Sequence, residues 1–320
     1  GATQNSMRWY IVENRGDIDY EGEQIFLGGY WSLDMPITSQ LSLLVGARLE
    51  NTVITVTPES DQEDFVVVEE DVTVDEEGNP TGSLFSLAPR DREDAEVDIG
   101  ESHWLRAAAL VYNITPDMNA RLNYGQTIAR PTFLELVPIL TEDFVEGNNT
   151  SGNNELVISE IDNVDFRWEW FPRPGDVLAL SWFYKDIDNP IEKTLVTINN
   201  LEVFYPENYE EGQVRGFEVE FRKKLDFFEL TRDVTLSLNG TLIDATVKVP
   251  ELRKFPLQDL DLDEDRRPME GQPEYLFNAN LTYDNEDTGT TAGVFYNITG
   301  KVLKAGAAKS AVGEGEGAFP

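Results

Sequence analysis

Two neighbouring runs of about a dozen residues, 102–113 and 119–130, restrict the fold more than any other part of the sequence. The short turn 115–118 separates them, and the second run alternates between apolar and polar side chains. Because successive side chains of a β-strand point to opposite faces, this run predicts a strand with one apolar and one polar face. Such a strand suits a soluble core, but its length also suits a membrane-spanning strand whose apolar face contacts lipid.

The composition is compatible with both interpretations. The chain has 320 residues, of which 40% are hydrophobic and 11% aromatic, and this is enough for a large ordered domain. No apolar run approaches the roughly 18 residues that indicate a transmembrane helix, whereas the alternating strands of a membrane barrel need no such run. The absence of cysteine excludes disulfides, thiolate metal ligands and thiol nucleophiles.

The chain is strongly acidic. It contains 60 Asp and Glu against 25 Lys and Arg, which gives a formal net charge of −35. Nucleic-acid binding requires clustered basic side chains for the phosphate contacts, so this charge argues against it. An acidic surface instead suits cations or neutral ligands, and no motif indicates a cofactor or a bound metal ion.

Ten runs have a strand pattern, and they follow one another as five hairpins: 22–33, 41–57, 102–113, 119–130, 162–171, 177–188, 212–225, 234–249, 272–284 and 290–303. Their connections alternate between short and long. Short turns at one end of a sheet and long loops at the other are typical of an outer-membrane barrel, whereas the strands of soluble β-proteins average about five or six residues. The predicted fold class is therefore all-β, an antiparallel meander that forms part of a large transmembrane β-barrel.

The long connections are expected to be loops. Residues 58–101 are rich in Asp and Glu, and a small hairpin between 65–68 and 84–87 is predicted within them. Residues 71–77 resemble a cluster of oxygen ligands for Ca²⁺, but they lack the EF-hand spacing, so a solvated loop is expected. Residues 131–159 are predicted to be a long connection, and residues 189–211 a medium loop.

One segment resembles a known family. Residues 124–136, which contain Arg130 and Pro131, resemble the Arg-Pro motif of TonB-dependent outer-membrane receptors, where a strand end enters an extracellular loop. Further segments are similar to the family's sequence in the family's order: 152–156 with Asp165 and Glu169, then 183–191, 216–220, 271–278 and 296–300.

The resemblance implies a plugged outer-membrane barrel of the 22-stranded type, of which about ten strands are present. The family's plug, the TonB box and the terminal strands are expected to lie outside the chain, so residues 1–320 are interpreted as a partial barrel domain. The implied function is active import of a scarce ligand, such as a siderophore, cobalamin or an oligosaccharide, driven by TonB and the proton gradient. The implied partners are the TonB complex (through the plug), the lipid bilayer with lipopolysaccharide, and the ligand.

The candidate site residues are polar and aromatic side chains on the two faces of the predicted strands. The polar parity is expected to face the lumen, where each side chain is either solvated, salt-bridged or in contact with ligand: Arg121, Asn123, Thr127, Asp165, Arg167, Glu169, Glu218 and Glu220. Arg130, at the strand–loop junction, is expected to face the plug or the ligand. The candidate membrane-interface aromatics are Trp104, Trp168, Trp170, Trp182 and Tyr184.

Enzymatic function is not predicted. The one histidine, His103, has no partner set for a catalytic triad or a metal ion, and it is expected to be exposed or to lie beside the interfacial Trp104. A passive porin and a soluble β-rich binding protein remain open as alternatives to the receptor. The acidic loops disfavour a strongly anionic ferric chelate and are compatible with neutral oligosaccharides or cationic chelates.

Overall fold

The structure is a computed structural model, and it describes residues 19–59, 64–70, 73–74, 80–81, 85–91, 95–143, 148–198, 201–226, 233–250 and 265–307. The first half of the described chain forms β1 (Asp19–Pro36), β2 (Leu41–Glu59), β3 (Asp64–Glu70), β4 (Thr73–Val74), β5 (Pro80–Thr81), β6 (Phe85–Asp91), β7 (Val97–Thr115), β8 (Met118–Ala129), the short helix α1 (Phe133–Leu136), β9 (Leu140–Asp143) and β10 (Asn148–Ser151).

The second half forms β11 (Ser159–Trp170), β12 (Val177–Asp188), β13 (Ile191–Ile198), β14 (Leu201–Asn208), β15 (Glu211–Lys224), β16 (Val234–Lys248), β17 (Arg266–Pro268), β18 (Tyr275–Asn285), β19 (Thr290–Thr299) and β20 (Gly306–Ala307). Among the described residues, no helix is long and apolar enough to cross a membrane.

The ten long strands form one antiparallel meander. Their order is β1-β2-β7-β8-β11-β12-β15-β16-β18-β19, and the short β17 also pairs with β16. These are the ten strands that the sequence predicts, so the all-β meander is confirmed. The strands run from 10 to 19 residues, well beyond the usual length in soluble sheets. Their density of β-branched and aromatic residues suits the pleated surface of a sheet.

The connections contain more regular structure than predicted. The expected loop 189–211 is wrong, because β13 and β14 form a hairpin there, within a second sheet of order β20-β13-β14-β10-β9. The β-branched and aromatic residues of β13 and β14 are a strand signal, but charged residues interrupt the apolar pattern of both strands. The predicted small hairpin is confirmed as the pair β3–β6, whereas most of the candidate Ca²⁺ segment lies outside the described residues.

Register joins side chains of equal parity into two continuous surfaces. We call the surface that contains Phe166 the apolar face and the surface that contains Arg167 the polar face. Directly paired residues form an apolar row across six strands: Leu110, Leu122, Phe166, Trp182, Phe217 and Leu242. Apart from Trp182, these side chains are 37% to 65% exposed. Within the described residues, the apolar face is therefore not packed against a second sheet.

The polar face carries a buried apolar cluster where the long connections leave the sheet. There the ends of β2 and β7 contribute Ile54, Val56 and Val97 to a buried cluster with α1 and the residues that follow it, Leu136, Val137, Ile139 and Leu156. A capping box between Thr132 and Glu135 starts α1. Gly22 leaves room for the Phe133 ring, which lies 2.8 Å from the place where a Cβ would be. The segment after Arg130 therefore folds inward over the polar face.

At the other end of the sheet, the turn between β11 and β12 is fixed to β15. The Asp176 carboxylate is 3% exposed and accepts hydrogen bonds from the Lys224 backbone N–H at 2.9 Å and from Arg173 Nε at 3.0 Å. Burial alone would raise the pKa of the Asp176 carboxyl, but the Lys224 hydrogen bond and the Arg173 guanidinium together hold it below its ordinary value. The ionised form therefore stabilises this turn.

We expect the substitution Asp176→Asn to lower the free energy of unfolding by about 1–2 kcal/mol at pH 7, because charge-assisted hydrogen bonds are lost. A depressed pKa stabilises the fold above the unfolded value near about 4, and this contribution is lost as the pH falls through the folded value. Thermal unfolding of the full-length protein in detergent at pH 7 and pH 3 measures the effect. The exposed turn residue Glu286 provides the control Glu286→Gln, and an equal loss in both variants would contradict the prediction.

Candidate functional site on the polar face

An ion-pair network occupies the middle of the polar face and joins four strands. Arg167 Nε lies 2.8 Å from Glu169 Oε1, and Arg167 Nη2 lies 2.8 Å from Glu220 Oε2. Arg167 Nη1 also donates to Ser181 Oγ at 3.0 Å, and Arg121 Nη2 lies 3.1 Å from Glu169 Oε2. Glu169 is only 7% exposed between the two guanidiniums. Two cations and two anions therefore neutralise one another on this face.

The remaining candidates from the polar parity have different surroundings. Asp165 lies directly opposite Asn123 and Phe183 in the register, and among the described residues its carboxylate has no hydrogen-bond or ion-pair partner. Glu218 accepts a hydrogen bond from Asn239 Nδ2 at 2.7 Å. Thr127 Oγ1 accepts one at 3.0 Å from the amide of Asn163. Asp165 is therefore the charged candidate most available to another molecule.

A second network surrounds Arg130 where β8 ends. Arg130 donates from Nε to Thr52 Oγ1 at 3.0 Å and from Nη2 to Glu50 Oε1. Its guanidinium also lies 4.7 Å from the centre of the Phe26 ring, a cation–π distance. Arg48 Nε contacts the other oxygen of Glu50 at 2.5 Å, so two arginines share one buried carboxylate. The network fixes the point at which the segment 131–158 leaves the sheet.

His103 is not exposed, and the sequence-based expectation was wrong in this respect. It is 8% exposed, and its Nε2 lies 3.2 Å from Glu101 Oε2 and 3.4 Å from Glu160 Oε1. The alternation of β7 directs it to the face opposite Trp104, and this parity was available in the sequence. Among the described residues, no group of three or more His, Asp or Glu side chains has a geometry that could hold a metal ion.

The five candidate interface aromatics all lie on the apolar face. Trp168 and Trp170 are near the short turns, and the Trp170 indole donates to Asp117 in the turn between β7 and β8 at 3.2 Å. Trp182 and Tyr184 lie toward the long connections, as does Trp104 on β7, which is 61% exposed. They therefore form one group toward each end of the apolar face.

A buried ion pair joins the second sheet to the main one. Glu192 on β13 accepts from Arg267 Nη1 at 2.9 Å and from the Glu270 backbone N–H at 3.1 Å. Burial raises the pKa of the Glu192 carboxyl, and the nearby Arg267 charge only partly offsets this effect. The Arg267 guanidinium also lies 4.8 Å from the centre of the Tyr209 ring. This cluster holds the β13–β14 hairpin close to the end of β16.

Sequence reasoning missed several polar-face residues. Glu50 and Thr52 share one parity within the predicted strand 41–57, and this alternation of polar residues could have identified them. A row of asparagines on β16, β18 and β19 was also missed: Asn239, Asn278 and Asn297. The aligned asparagines become visible only when the register of three strands is known.

Comparison with protein families decides where this sheet belongs. The family described as "TonB dependent receptor-like, beta-barrel" matches residues 3–314 of the chain. The chain belongs to the TonB-dependent receptor family. This is a family of transport receptors of the bacterial outer membrane, and the resemblance seen at Arg130 and Pro131 is thereby confirmed. Comparison with the sequences of curated proteins gives no match.

Solved structures share the fold at low sequence identity. The ferric-catecholate import receptor Fiu from E. coli K12 aligns with a TM-score of 0.56 and 16% identity over 90% of this chain and 36% of its own. The ferric yersiniabactin uptake receptor FyuA from Yersinia pestis gives 0.54 and 13% over 88% and 35%. The Serratia marcescens hemophore receptor HasR, solved with its hemophore HasA and heme, gives 0.56 and 12% over 87% and 44%. The chain spans less than half the length of each.

The Arg130 network is expected to hold the segment 131–158 in place. The substitution Glu50→Gln removes the charge that Arg48 and Arg130 share, and losing about 1 kcal/mol would raise the open population about fivefold. Chymotrypsin cleavage at Leu134, which is 58% exposed on α1, measures this population in the full-length receptor. The control Glu21→Gln changes an exposed carboxylate on β1, and equal cleavage rates in the two variants would contradict the expectation.

Proposed function

We propose that the chain forms part of the barrel wall of a receptor that actively imports a scarce ligand across the outer membrane. Import is driven by TonB and the proton gradient, through a plug domain that contacts both TonB and the inner wall. In this proposal residues 1–320 are a partial barrel domain, and the strands that complete the 22-stranded barrel lie outside them. The chain itself catalyses no reaction and holds no cofactor.

The observation that carries this proposal is the contrast between the two faces of the sheet. Each of the ten long strands carries at least one exposed large apolar side chain on the apolar face, whereas the polar face carries neutralised ion pairs and hydrogen-bonded amides. A backbone rise of about 3.4 Å per residue makes the apolar stretch of β11, from Val164 to Trp170, about 20 Å long. Strands of outer-membrane barrels tilt by about 35–45°, so this stretch covers roughly 15 Å of the apolar band of about 25 Å that surrounds them. Lipid outside and an aqueous lumen inside satisfy both faces.

The apolar face ends in polar residues toward the long connections. Beyond Val164 and Tyr184, the same parity continues as Asp162 and Asp186, and the Tyr124 hydroxyl donates to Asp162 at 2.5 Å. Carboxylates at this level meet the headgroup region, where divalent cations bridge them to lipopolysaccharide. Trp104, Trp182 and Tyr184 then form the outer aromatic girdle, and Trp168 and Trp170 form the inner one.

On the lumen side the candidates divide into two groups. Arg121, Arg167, Glu169 and Glu220 are paired with one another and serve to hold the wall. Asp165 has no such partner among the described residues, and it lies beside Asn123, with Thr127 and Glu218 on the same face. We assign Asp165 and Asn123 to contact with the plug or the ligand, and Arg130 to positioning the segment that covers the mouth of the barrel.

The ligand belongs to one of three classes: a siderophore, cobalamin or an oligosaccharide. The charge of −35 lowers the rate of capture of a strongly anionic chelate, because like charges repel during the encounter. Neutral ligands and cationic chelates avoid this penalty. A passive porin would have a similar sheet, and conductance separates the two functions.

The full-length receptor, purified and placed in planar lipid bilayers, is expected to pass no steady ion current, because the plug blocks the path through the lumen. Deleting the plug should open a conducting pore. In cells, deletion of TonB should abolish uptake to the same extent as deletion of the receptor. Steady conductance of the full-length protein together with TonB-independent uptake would establish a porin and contradict the proposal.

The substitution Asp165→Asn is expected to reduce uptake about tenfold, equivalent to about 1.4 kcal/mol of lost interaction, without lowering the thermal midpoint of the receptor. Asp165 has no partner on the wall, so the fold does not depend on its charge. The matched control is Asp98→Asn, which changes an exposed carboxylate whose β7 parity places it on the opposite face. Unchanged uptake in Asp165→Asn, or equal losses in both variants, would remove Asp165 from the site.

A further inference from the structure

An exposed aromatic side chain lies on the polar face of the last long strand. Phe295 on β19 lies directly opposite Asn280 in the register, and it is 75% exposed on the face that carries the ion pairs. Its ring lies over Gly293, with ring atoms 2.9 Å and 3.1 Å from the place where a Cβ would be. The glycine thus lets the ring lie along the sheet and leaves the other side of the ring accessible.

A row of carboxamides crosses the strands next to this ring. Asn297 Nδ2 donates to Asn278 Oδ1 at 2.5 Å, Asn278 Nδ2 donates to Asn239 Oδ1 at 3.4 Å, and Asn239 Nδ2 donates to Glu218 at 2.7 Å. Each amide donates in the same direction, and the chain ends on a carboxylate. The amide orientations are therefore fixed relative to one another, which presents an ordered set of donors and acceptors.

The row borders a cavity of about 350 Å³, within the range of roughly 300–1,000 Å³ that is usual for ligand sites. The side chains of the polar parity around it are Glu220, Arg222, Ser237, Asn239, Asn278 and Asn280. Ser237 and Arg222 form no hydrogen bond within the described part of the chain, and the Asn280 amide nitrogen is also free there, because only its oxygen accepts a bond, from Thr282.

The charges around the cavity favour a neutral ligand. Glu220 is paired with Arg167, and Glu218 already accepts from Asn239. A cation would meet the guanidinium of Arg222, which has no ion-pair partner within the described residues, and an anion would meet the two carboxylates close to it. Hydroxyl groups, which both donate and accept, match free amides, a serine hydroxyl and a guanidinium. A pyranose ring also offers a C–H face that packs on an exposed aromatic ring.

From this combination we propose that the inner wall formed by β15, β16, β18 and β19 binds a neutral oligosaccharide. Phe295 stacks against one sugar ring. The adjacent sugar lies in the cavity, where its hydroxyl groups bind Asn278, Asn280 and Ser237. The inference rests on the import function proposed above and names the ligand class for it. It also explains why a large apolar side chain lies on the polar face.

The test uses the full-length receptor in a detergent without a sugar headgroup, because maltosides and glucosides would compete for the site. The probes are four neutral hexasaccharides, maltohexaose, cellohexaose, laminarihexaose and xylohexaose, with a hexamer of galacturonate as the charged comparison. Isothermal titration calorimetry measures the dissociation constants. At least one neutral hexasaccharide is expected to bind more tightly than the uronate hexamer.

Two variants and two controls locate the site. Phe295→Ala removes the ring that stacks against the sugar and is expected to weaken binding about tenfold. Gly293→Ala should also weaken binding, because its Cβ displaces the Phe295 ring. The matched controls are Tyr30→Ala, an exposed aromatic on the polar parity of β1, and Gly125→Ala, which has open space above it. Both controls should leave the dissociation constant unchanged.

The outcomes distinguish this inference from the import function. Absence of binding by all four neutral hexasaccharides, preference for the uronate, or equal weakening by Tyr30→Ala and Phe295→Ala would overturn the saccharide site. TonB-dependent uptake of another ligand in the same strain would then leave the import function standing. Saccharide binding in a receptor whose uptake does not need TonB would support the site and contradict the import mechanism.

Discussion

The structure depends on one constraint: the long strands pair in a fixed antiparallel register, and the eight strands between β1 and β19 have a paired neighbour on both sides. A strand that crosses lipid finds no water to hydrogen-bond its unpaired backbone groups, so extended strands are stable there only within a paired sheet. The same register places residues of equal parity side by side over ten strands. Phe166 thereby lies between Leu122 and Trp182, and the neighbouring Arg167 lies between Arg121 and Ser181. The alternation of side chains along each strand thereby produces two surfaces, one apolar and one polar.

The polar face combines paired charges with a buried apolar cluster. On the polar face, a chain with a net charge of −35 still provides arginine partners for Glu169 and Glu220, so the buried Glu169 is not left unpaired. At the end of the sheet that carries the long connections the pattern changes: the polar parity becomes apolar at Ile54 and Val56 and packs against Leu136. The connection after Arg130 is therefore a packed part of the wall rather than a free loop, and its anchor is an arginine that shares Glu50 with Arg48.

Much of this could be predicted from the sequence, because alternation and connection length are local properties. These properties predict the ten strands, and they place Arg167 on the polar parity and Trp182 on the apolar parity, as in the structure. Contacts between strands could not be predicted. Arg130 and Glu50 are 80 residues apart, and the row formed by Asn239 and its neighbours requires the register of three strands. The β13–β14 hairpin was missed because charged residues interrupt its apolar pattern. The burial of His103 was missed because its position on the polar parity of β7 was not considered.

The most direct test is a nitroxide scan of β11 in the intact receptor, reconstituted into lipid vesicles. Single cysteines replace residues 162 to 170 in turn, and the chain contains no native cysteine that would interfere. Electron paramagnetic resonance then compares collisions with oxygen, which concentrates in lipid, and with a water-soluble nickel chelate. The account predicts a period of two residues, with oxygen access highest at positions 164, 166 and 168 and lowest at 165 and 167. Equal access at both parities, or access to the nickel chelate at position 166, would contradict it.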